Sequence, residues 1–238
     1  MVYRCFCLLG LLLPWLALGA RDVPPPYDPA GRVALLGQVL SRHSEYELVI
    51  VDDFQGEMPY SPRANSTDLS VVRTIQRSPT DDAFSQEESL RGDPSGEPSC
   101  LWLHTSFDLP GQQSYWLRPR DPVRLQGRLI LVSLWVHSGS WPHTLTLLFE
   151  NAAGREVRVP LGRLDFHGWR RLEAYLPETL WQRGPIERPY VHHFTGFLIE
   201  SSPRAEAGAV SLLFDNLLVL SDHSQGRYPG AEVPDNWP

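Results

Sequence analysis

From residue 100 onward, short apolar or alternating stretches follow one another closely, separated by turns rich in Gly, Pro and Asn. In residues 155–159 apolar and charged side chains alternate, as a strand with one buried face requires. Residues 129–136 are mostly apolar, which is typical of a central strand covered on both faces. No helical segment alternates with these strands, which argues against βαβ units. The pattern therefore predicts an all-β fold, an antiparallel β-sandwich of jelly-roll type. Strands are expected at residues 47–54, 71–75, 101–107, 114–117, 128–136, 143–149, 155–159, 169–176, 194–201 and 210–220.

The first twenty residues have the layout of a secretory signal peptide. A single positive charge at Arg4 precedes an apolar stretch over residues 5–13, and Pro14 interrupts it. Cleavage is expected after Gly19 or Ala20, and Gly19 fits the small-residue rule better. A membrane anchor is the alternative, but the stretch is shorter than the roughly 20 residues that span a bilayer. Export is predicted, with no membrane contact after cleavage.

The rest of the chain divides by composition into three parts. Residues 21–45 are predicted to form a Pro-rich leader and a short helix, and residues 46–222 the sandwich domain. Within that domain, residues 77–99 carry six acidic side chains and only three apolar ones, so an acidic mobile loop is expected. Residues 223–238 are polar and rich in Pro and Gly, which favours an extended tail.

Charge and residue usage exclude several classes of protein. Of 238 residues, 28 are acidic and 21 basic, for a net charge of −7, and every basic residue is Arg. Without lysine, catalysis through a Schiff base or a P-loop lysine is excluded. The acidic balance argues against a nucleic-acid partner, because phosphate binding needs a basic surface. Signal cleavage would leave Cys100 as the one cysteine, so no internal disulfide is expected.

Catalytic and metal-binding motifs are absent from the sequence. It contains no nucleophile elbow, P-loop, dinucleotide fingerprint, HExxH pair or CxxC, so no enzyme, catalytic residue or cofactor is predicted. The neighbours His192 and His193 would point to opposite faces of a strand. His137 and His143 flank a turn and would approach each other across a hairpin, but no third ligand lies nearby in the sequence.

Three aspartates are candidate ligands for a calcium ion. Asp52 and Asp53 end the first expected strand, and Asp215 lies in the last one. Jelly-roll sandwiches related to carbohydrate-binding modules often place such acids side by side, and calcium takes oxygen ligands. The alternative is that these carboxylates cap strand ends and turns.

The tryptophans are divided between strands and turns. Trp102, Trp116 and Trp135 lie inside apolar strand runs and are expected in the core. Trp141 lies in a turn, where an exposed ring would suit sugar stacking and a protein interface equally.

The most specific segment runs from Val157 to Leu172. It is interpreted as a strand, a tight bend, an apolar anchor and a turn that opens the next strand. The residues of this motif are Leu161, Gly162, Leu164, Phe166, Gly168 and Trp169. Phe166 and the Gly168–Trp169 turn are expected to form one apolar clasp between strands. The segment resembles the "LG-x-L-x-F-x-GW" signature of the flagellar filament outer-layer (sheath) proteins of spirochaetes, the FlaA family.

The resemblance continues on both sides of the motif. Residues 134–136 with 145–150 look like a strand pair of the family, and residues 213–222 resemble its closing strand. In all, residues 100–222 match in order and spacing. Residues 186–208 depart from the family pattern, which implies a divergent paralogue.

This resemblance implies a structural, non-catalytic role in the outer layer of the periplasmic flagellum. The implied location is the periplasm, and the implied process is motility. The implied partners are the flagellin core filament and other sheath proteins, with homo- or hetero-oligomers. The alternative is a periplasmic carbohydrate-binding module without catalysis on the same fold. A row of exposed aromatics would favour sugar binding, and an exposed apolar patch would favour assembly.

Overall fold

The computed structural model describes residues 28–55, 59–65, 71–76, 82–91, 99–181 and 191–224. These residues form two α-helices, α1 (Pro29–Arg42) and α2 (Asp82–Arg91), and one 3-10 helix (Glu178–Trp181). The strands are β1 (Tyr46–Asp52), β2 (Tyr60–Ala64), β3 (Val71–Gln76), β4 (Ser99–Phe107), β5 (Ser114–Pro119), β6 (Val123–Gln126), β7 (Arg128–Gly139), β8 (Thr144–Glu150), β9 (Glu156–Arg163), β10 (His167–Tyr175), β11 (Val191–Glu200) and β12 (Gly208–Asp222).

The strands pair into two antiparallel sheets. Sheet A has the order β10-β7-β12-β4-β3, and β1 also pairs with β12. Sheet B has the order β2-β5-β11-β8-β9, and β6 also pairs with β11. Two long strands each pair with two shorter strands along the same edge. Along β12 these are β4 and β1, and along β11 they are β5 and β6. The predicted all-β antiparallel sandwich is confirmed.

The core lies between the two sheets and follows from the alternation of side chains. In β9, Val157, Val159 and Leu161 are buried, while the residues between them face outward. At the centre, Phe197 of sheet B stacks on Phe214 of sheet A, with ring centroids 5.2 Å apart. Both rings are fully buried, so they join the two layers.

Helix α1 confirms the expected short helix near the N-terminus. Asp28 caps it by accepting a hydrogen bond from the Gly31 backbone N–H at 2.9 Å, and Pro29 suits the first helical position. Val33 and Leu36, one turn apart, are buried against the protein.

Helix α2 occupies ten residues of the segment that the sequence predicts as an acidic mobile loop. That expectation is wrong for residues 82–91. Phe84 is buried and stacks on Trp135 with ring centroids 4.1 Å apart. The helix is held by this contact and by buried Glu87, although its composition is polar. Few apolar residues in α2 are enough to hold the helix in place, because the outer face of sheet A supplies the apolar surface.

Several predictions fall outside the described residues and stay predictions. They concern the signal peptide with cleavage at Gly19 or Ala20, the leader before Asp28, and the tail beyond Ser224. In the part of the chain that the structure describes, no helix has the length and apolar character needed to cross a membrane.

Candidate interaction surface

The motif segment connects the two sheets, because β9 belongs to sheet B and β10 to sheet A. Leu161 is an extra residue between the pairs Leu145–Gly162 and Thr146–Pro160, so the strand bulges and continues instead of bending. Gly162 has φ 134°, which favours glycine at this bulge. The expected tight bend is therefore a β-bulge inside β9.

The expected single clasp is divided between two clusters. Leu164 and Phe166 are buried in the core between the sheets. Gly168, with φ 83°, follows at the start of β10, and Trp169 points to the opposite side of the sheet. There Trp169 contacts Phe84 of α2 edge-on, with centroids 5.3 Å apart. Within β10, Trp169 is an odd number of positions from Leu172, which packs against the core, so the strand directs Trp169 to the outer face.

A buried ion-pair network fixes α2 on the outer face of sheet A. Arg171 of β10 donates from Nε to a carboxylate oxygen of Glu87 at 2.5 Å, and both side chains are almost fully buried. Trp135 Nε1 donates to the other oxygen of Glu87 at 3.2 Å. Arg171 also pairs with Glu173, which in turn pairs with Arg32 of α1. The sequence analysis missed this network, although Phe84 and Glu87 stand three residues apart, as on one face of a helix.

An apolar groove lies beside this network, between α1 and the outer face of sheet A. We call it the α1 groove; its volume is about 520 Å³. Its apolar lining includes Leu35, Leu36, Val39, Ile130, Leu131 and Leu220. At its border Leu35 is 62% exposed and Tyr175 is 82% exposed, so two large apolar side chains face water. Exposed apolar surface around a concave site is typical of a binding surface.

The predicted calcium candidates make hydrogen bonds within the chain itself. Asp52 accepts from the Tyr60 hydroxyl at 2.7 Å and from the Phe54 backbone N–H at 2.8 Å. Burial raises the pKa of Asp52 despite these bonds. Asp53 accepts from a backbone N–H two residues on, and buried Asp215 accepts from the N–H that follows it. Over the described ranges, no three His, Cys, Asp or Glu side chains are grouped to hold a metal ion. The hydrogen bonds of Asp52 and Asp53 match the alternative of strand-end and turn caps, whereas Asp215 lies inside β12.

The four histidines considered as metal ligands are separated by the fold. His192 is fully buried, whereas His193 is partly exposed and lies 3.8 Å from Glu150. His137 lies on the outer face of sheet A near His167, with ring centroids 6.4 Å apart. Burial, and then the charge of His167, lower the pKa of His137. His143 is buried instead against Phe107, at 4.5 Å between centroids.

His143 should make stability depend on acidic pH. Burial lowers its pKa to about 4, and its Nδ1 accepts a hydrogen bond from the Ser202 backbone N–H at 3.3 Å. The unfolded chain binds a proton near pH 6.5, so this contribution to stability is complete above pH 6.5 and is lost as the pH falls to 4. We expect the wild type to lose about 2–3 kcal/mol more than His143→Gln between pH 7 and pH 4. Urea unfolding at both pH values measures this, and equal losses in the two proteins would contradict it.

The expectation that three tryptophans lie in the core is only partly correct. Trp135 is fully buried, but it lies beneath α2 on the outer face of sheet A. Trp102 and Trp116 are only partly buried and alternate with the core residues of their strands. Trp102 donates from Nε1 to the Ser211 hydroxyl at 2.7 Å.

Comparison with known folds shows what the sandwich resembles. A carbohydrate-binding module of the β-sandwich superfamily aligns with 70% of this chain and 59% of its own, at 8% identity and a TM-score of 0.43. The chain therefore spans less than two thirds of that protein. The family 11 carbohydrate-binding module of Clostridium thermocellum aligns with 74% of this chain and 96% of its own, at 8% identity and a TM-score of 0.47. We draw no functional conclusion from similarity at this level.

Sequence comparison shows which proteins the chain is similar to. Residues 123–225 match the model of the flagellar filament outer layer protein FlaA. A flagellar filament outer layer-like protein of Brachyspira hyodysenteriae is 24% identical over 200 residues, which are 79% of this chain and 85% of that protein. These findings confirm the resemblance predicted from the sequence: over residues 123–225 the chain is similar to the flagellar filament outer layer protein FlaA.

Proposed function

We propose that this protein is a structural component of the outer layer of the periplasmic flagellar filament. In this role it binds the flagellin core and neighbouring outer-layer subunits, is located in the periplasm, and supports motility. The family match supports the outer-layer role. The observation that carries the binding role is the α1 groove with Leu35 and Tyr175 exposed at its border.

The groove suits repeated weak contacts along a filament. Burying a large apolar side chain such as Leu35 or Tyr175 contributes about 1.5–3 kcal/mol, which is too little for a stable complex by itself. On a filament many subunits bind side by side, and multivalency raises the total affinity without a tight single site. The partner expected in the groove is an apolar protein segment of the filament. The Arg32–Glu173 pair borders the same groove, so polar contacts at its edge should be sensitive to salt.

A non-catalytic role is part of this proposal. Three buried titratable groups make structural contacts: Glu87 with Arg171, Asp52 with Tyr60, and His143 with Ser202. Groups held in this way stabilise the fold and are not directed into a shared cleft. The proposal therefore expects no turnover of any substrate.

Co-sedimentation with purified flagellar filaments tests the groove. We expect Leu35→Asp to weaken binding by about tenfold or more, because it places a charge where an apolar contact forms. Leu109→Asp is the matched control, since Leu109 is also an exposed leucine, at 57%, but lies in the loop between β4 and β5. It should bind like the wild type. Wild-type binding by Leu35→Asp, or an equal loss in both variants, would contradict the role of the groove.

A further inference from the structure

A row of paired side chains crosses the outer face of sheet A at the end opposite the α1 groove. Trp169 lies opposite His137, His137 opposite Leu213, Leu213 opposite Trp102, and Trp102 opposite Arg73. Directly opposed residues of neighbouring strands share one face of the sheet. We call these five residues the aromatic row. Because it spans five strands, its length is about 19 Å at the usual strand spacing.

The aromatic row faces away from the core and is accessible. Trp169 packs on Phe84 of α2, which lies on the outer side of sheet A, so the row shares that side. The strand neighbours of Trp102, Leu101 and Leu103, are buried between the sheets. The row residues themselves are partly exposed, and Arg73 is exposed.

Contacts with Arg73 of the row and with neighbouring residues fix the position of the Trp102 ring. Its Nε1 donates to the Ser211 hydroxyl, and its ring lies 5.6 Å from His104. The Arg73 guanidinium carbon lies 4.5 Å from the centre of the indole ring. Since Arg73 is exposed, its guanidinium can turn away from the indole and leave that ring face to a ligand. A ring held in advance loses little conformational freedom on binding.

The charge of this surface differs from that of the whole chain. A second row lies beside it, in which His167 pairs with Gly139, and Ser211 and Val71 both pair with His104. Neither row contains Asp or Glu, although the chain carries a net charge of −7. Among the described residues of the two rows, Arg73 carries a permanent positive charge, and the three imidazoles supply hydrogen-bonding groups. The surface therefore favours a ligand with negative charge.

We infer that the aromatic row binds an acidic oligosaccharide, a chain of pyranose rings that carries carboxylates. The apolar face of a sugar ring would pack on the indole of Trp102, as apolar rings pack on aromatic side chains. The Arg73 guanidinium would pair with a carboxylate in its preferred two-bonded geometry. His104, His137 and Ser211 would form hydrogen bonds with sugar hydroxyls. This site is separate from the α1 groove, so it adds a ligand to the proposed outer-layer role and does not depend on it.

Affinity electrophoresis of the full chain in gels that contain polygalacturonate or neutral galactan tests this inference. We expect polygalacturonate to retard the wild type more strongly than galactan does. Trp102→Ala should weaken binding to polygalacturonate about tenfold, and Arg73→Gln should abolish the preference for the acidic polymer. Trp116→Ala is the matched control, because Trp116 is partly buried on the opposite sheet. It should bind like the wild type.

Several results would overturn the inference. One is that neither polymer retards the wild type, and another is that both polymers retard it equally. Equal retardation of the wild type and Trp102→Ala by polygalacturonate would also overturn it. So would a protein that binds neither polymer but needs Trp102 to bind filaments. Thermal unfolding of each variant shows whether it is folded, and exposed Arg73 gives a variant that leaves the core intact.

Discussion

Replacing Arg171 by Met should lower the free energy of unfolding by about 3–5 kcal/mol, because the change leaves the Glu87 carboxylate buried without its partner. Both side chains are almost completely removed from solvent, at 1% and 0% exposure, so water cannot replace the lost contact. Glu87 would keep the Trp135 Nε1 hydrogen bond, which is much weaker than the ion pair. Urea unfolding at neutral pH measures the loss.

The double variant Glu87→Leu/Arg171→Met provides the control. It removes both charges together and replaces them with apolar side chains, so it should recover most of the lost stability. The remaining difference reflects the Trp135 Nε1 hydrogen bond that Glu87 no longer accepts. If Arg171→Met alone costs less than about 1 kcal/mol, or if the double variant is as unstable as the single one, the buried pair does not hold α2 as described.

Phe197→Ala should lower the free energy of unfolding by a similar amount, about 3–5 kcal/mol. The Phe197 ring stacks on Phe214 and contacts Phe194 edge-on, with ring centroids 5.2 Å apart in each case. The mutation would leave a cavity between the two sheets that the rigid strands cannot close. Tyr175→Ala is the control, because Tyr175 is 82% exposed and its loss should change stability by no more than about 0.5 kcal/mol. Thermal and urea unfolding that give equal values for both variants would contradict this account of the core.

The sandwich could be predicted from the sequence because its strands carry simple patterns. The alternation in β9 and the nearly continuous apolar run of β7 correspond to an edge strand and a strand paired on both sides. Strands β2 and β6 were missed because they are short and contain Pro, Arg or Gln. Each is stabilised as a strand by pairing with a longer strand, which is a tertiary effect.

Helix α2 and its ion pair could not be predicted from the sequence for a different reason. Arg171 and Glu87 are 84 residues apart, and only the folded sheet brings them together. The acidic composition of the segment predicts a loop when it is considered alone. The contact with Trp135 and Arg171 outweighs that local preference.

The aromatic row shows where residue patterns mislead. Cys100, Leu101, Trp102 and Leu103 are all apolar, so the alternation of β4 is hidden and Trp102 resembles a core residue. In the structure Leu101 and Leu103 face the core, and Trp102 faces outward with Arg73. The motif residues Phe166 and Trp169 were also assigned to one cluster, although Phe166 lies in the core before β10 and Trp169 lies on the outer face of β10.

The central claim is that this protein is part of the flagellar filament outer layer. Immunoblotting of purified periplasmic flagella, beside the remaining periplasmic fraction of the same cells, tests it most directly. We predict that the protein is found with the filaments and that deletion of its gene removes this band and alters filament thickness or curvature in electron micrographs. Purified filaments that lack the protein, while the remaining periplasmic fraction contains it, would contradict the account.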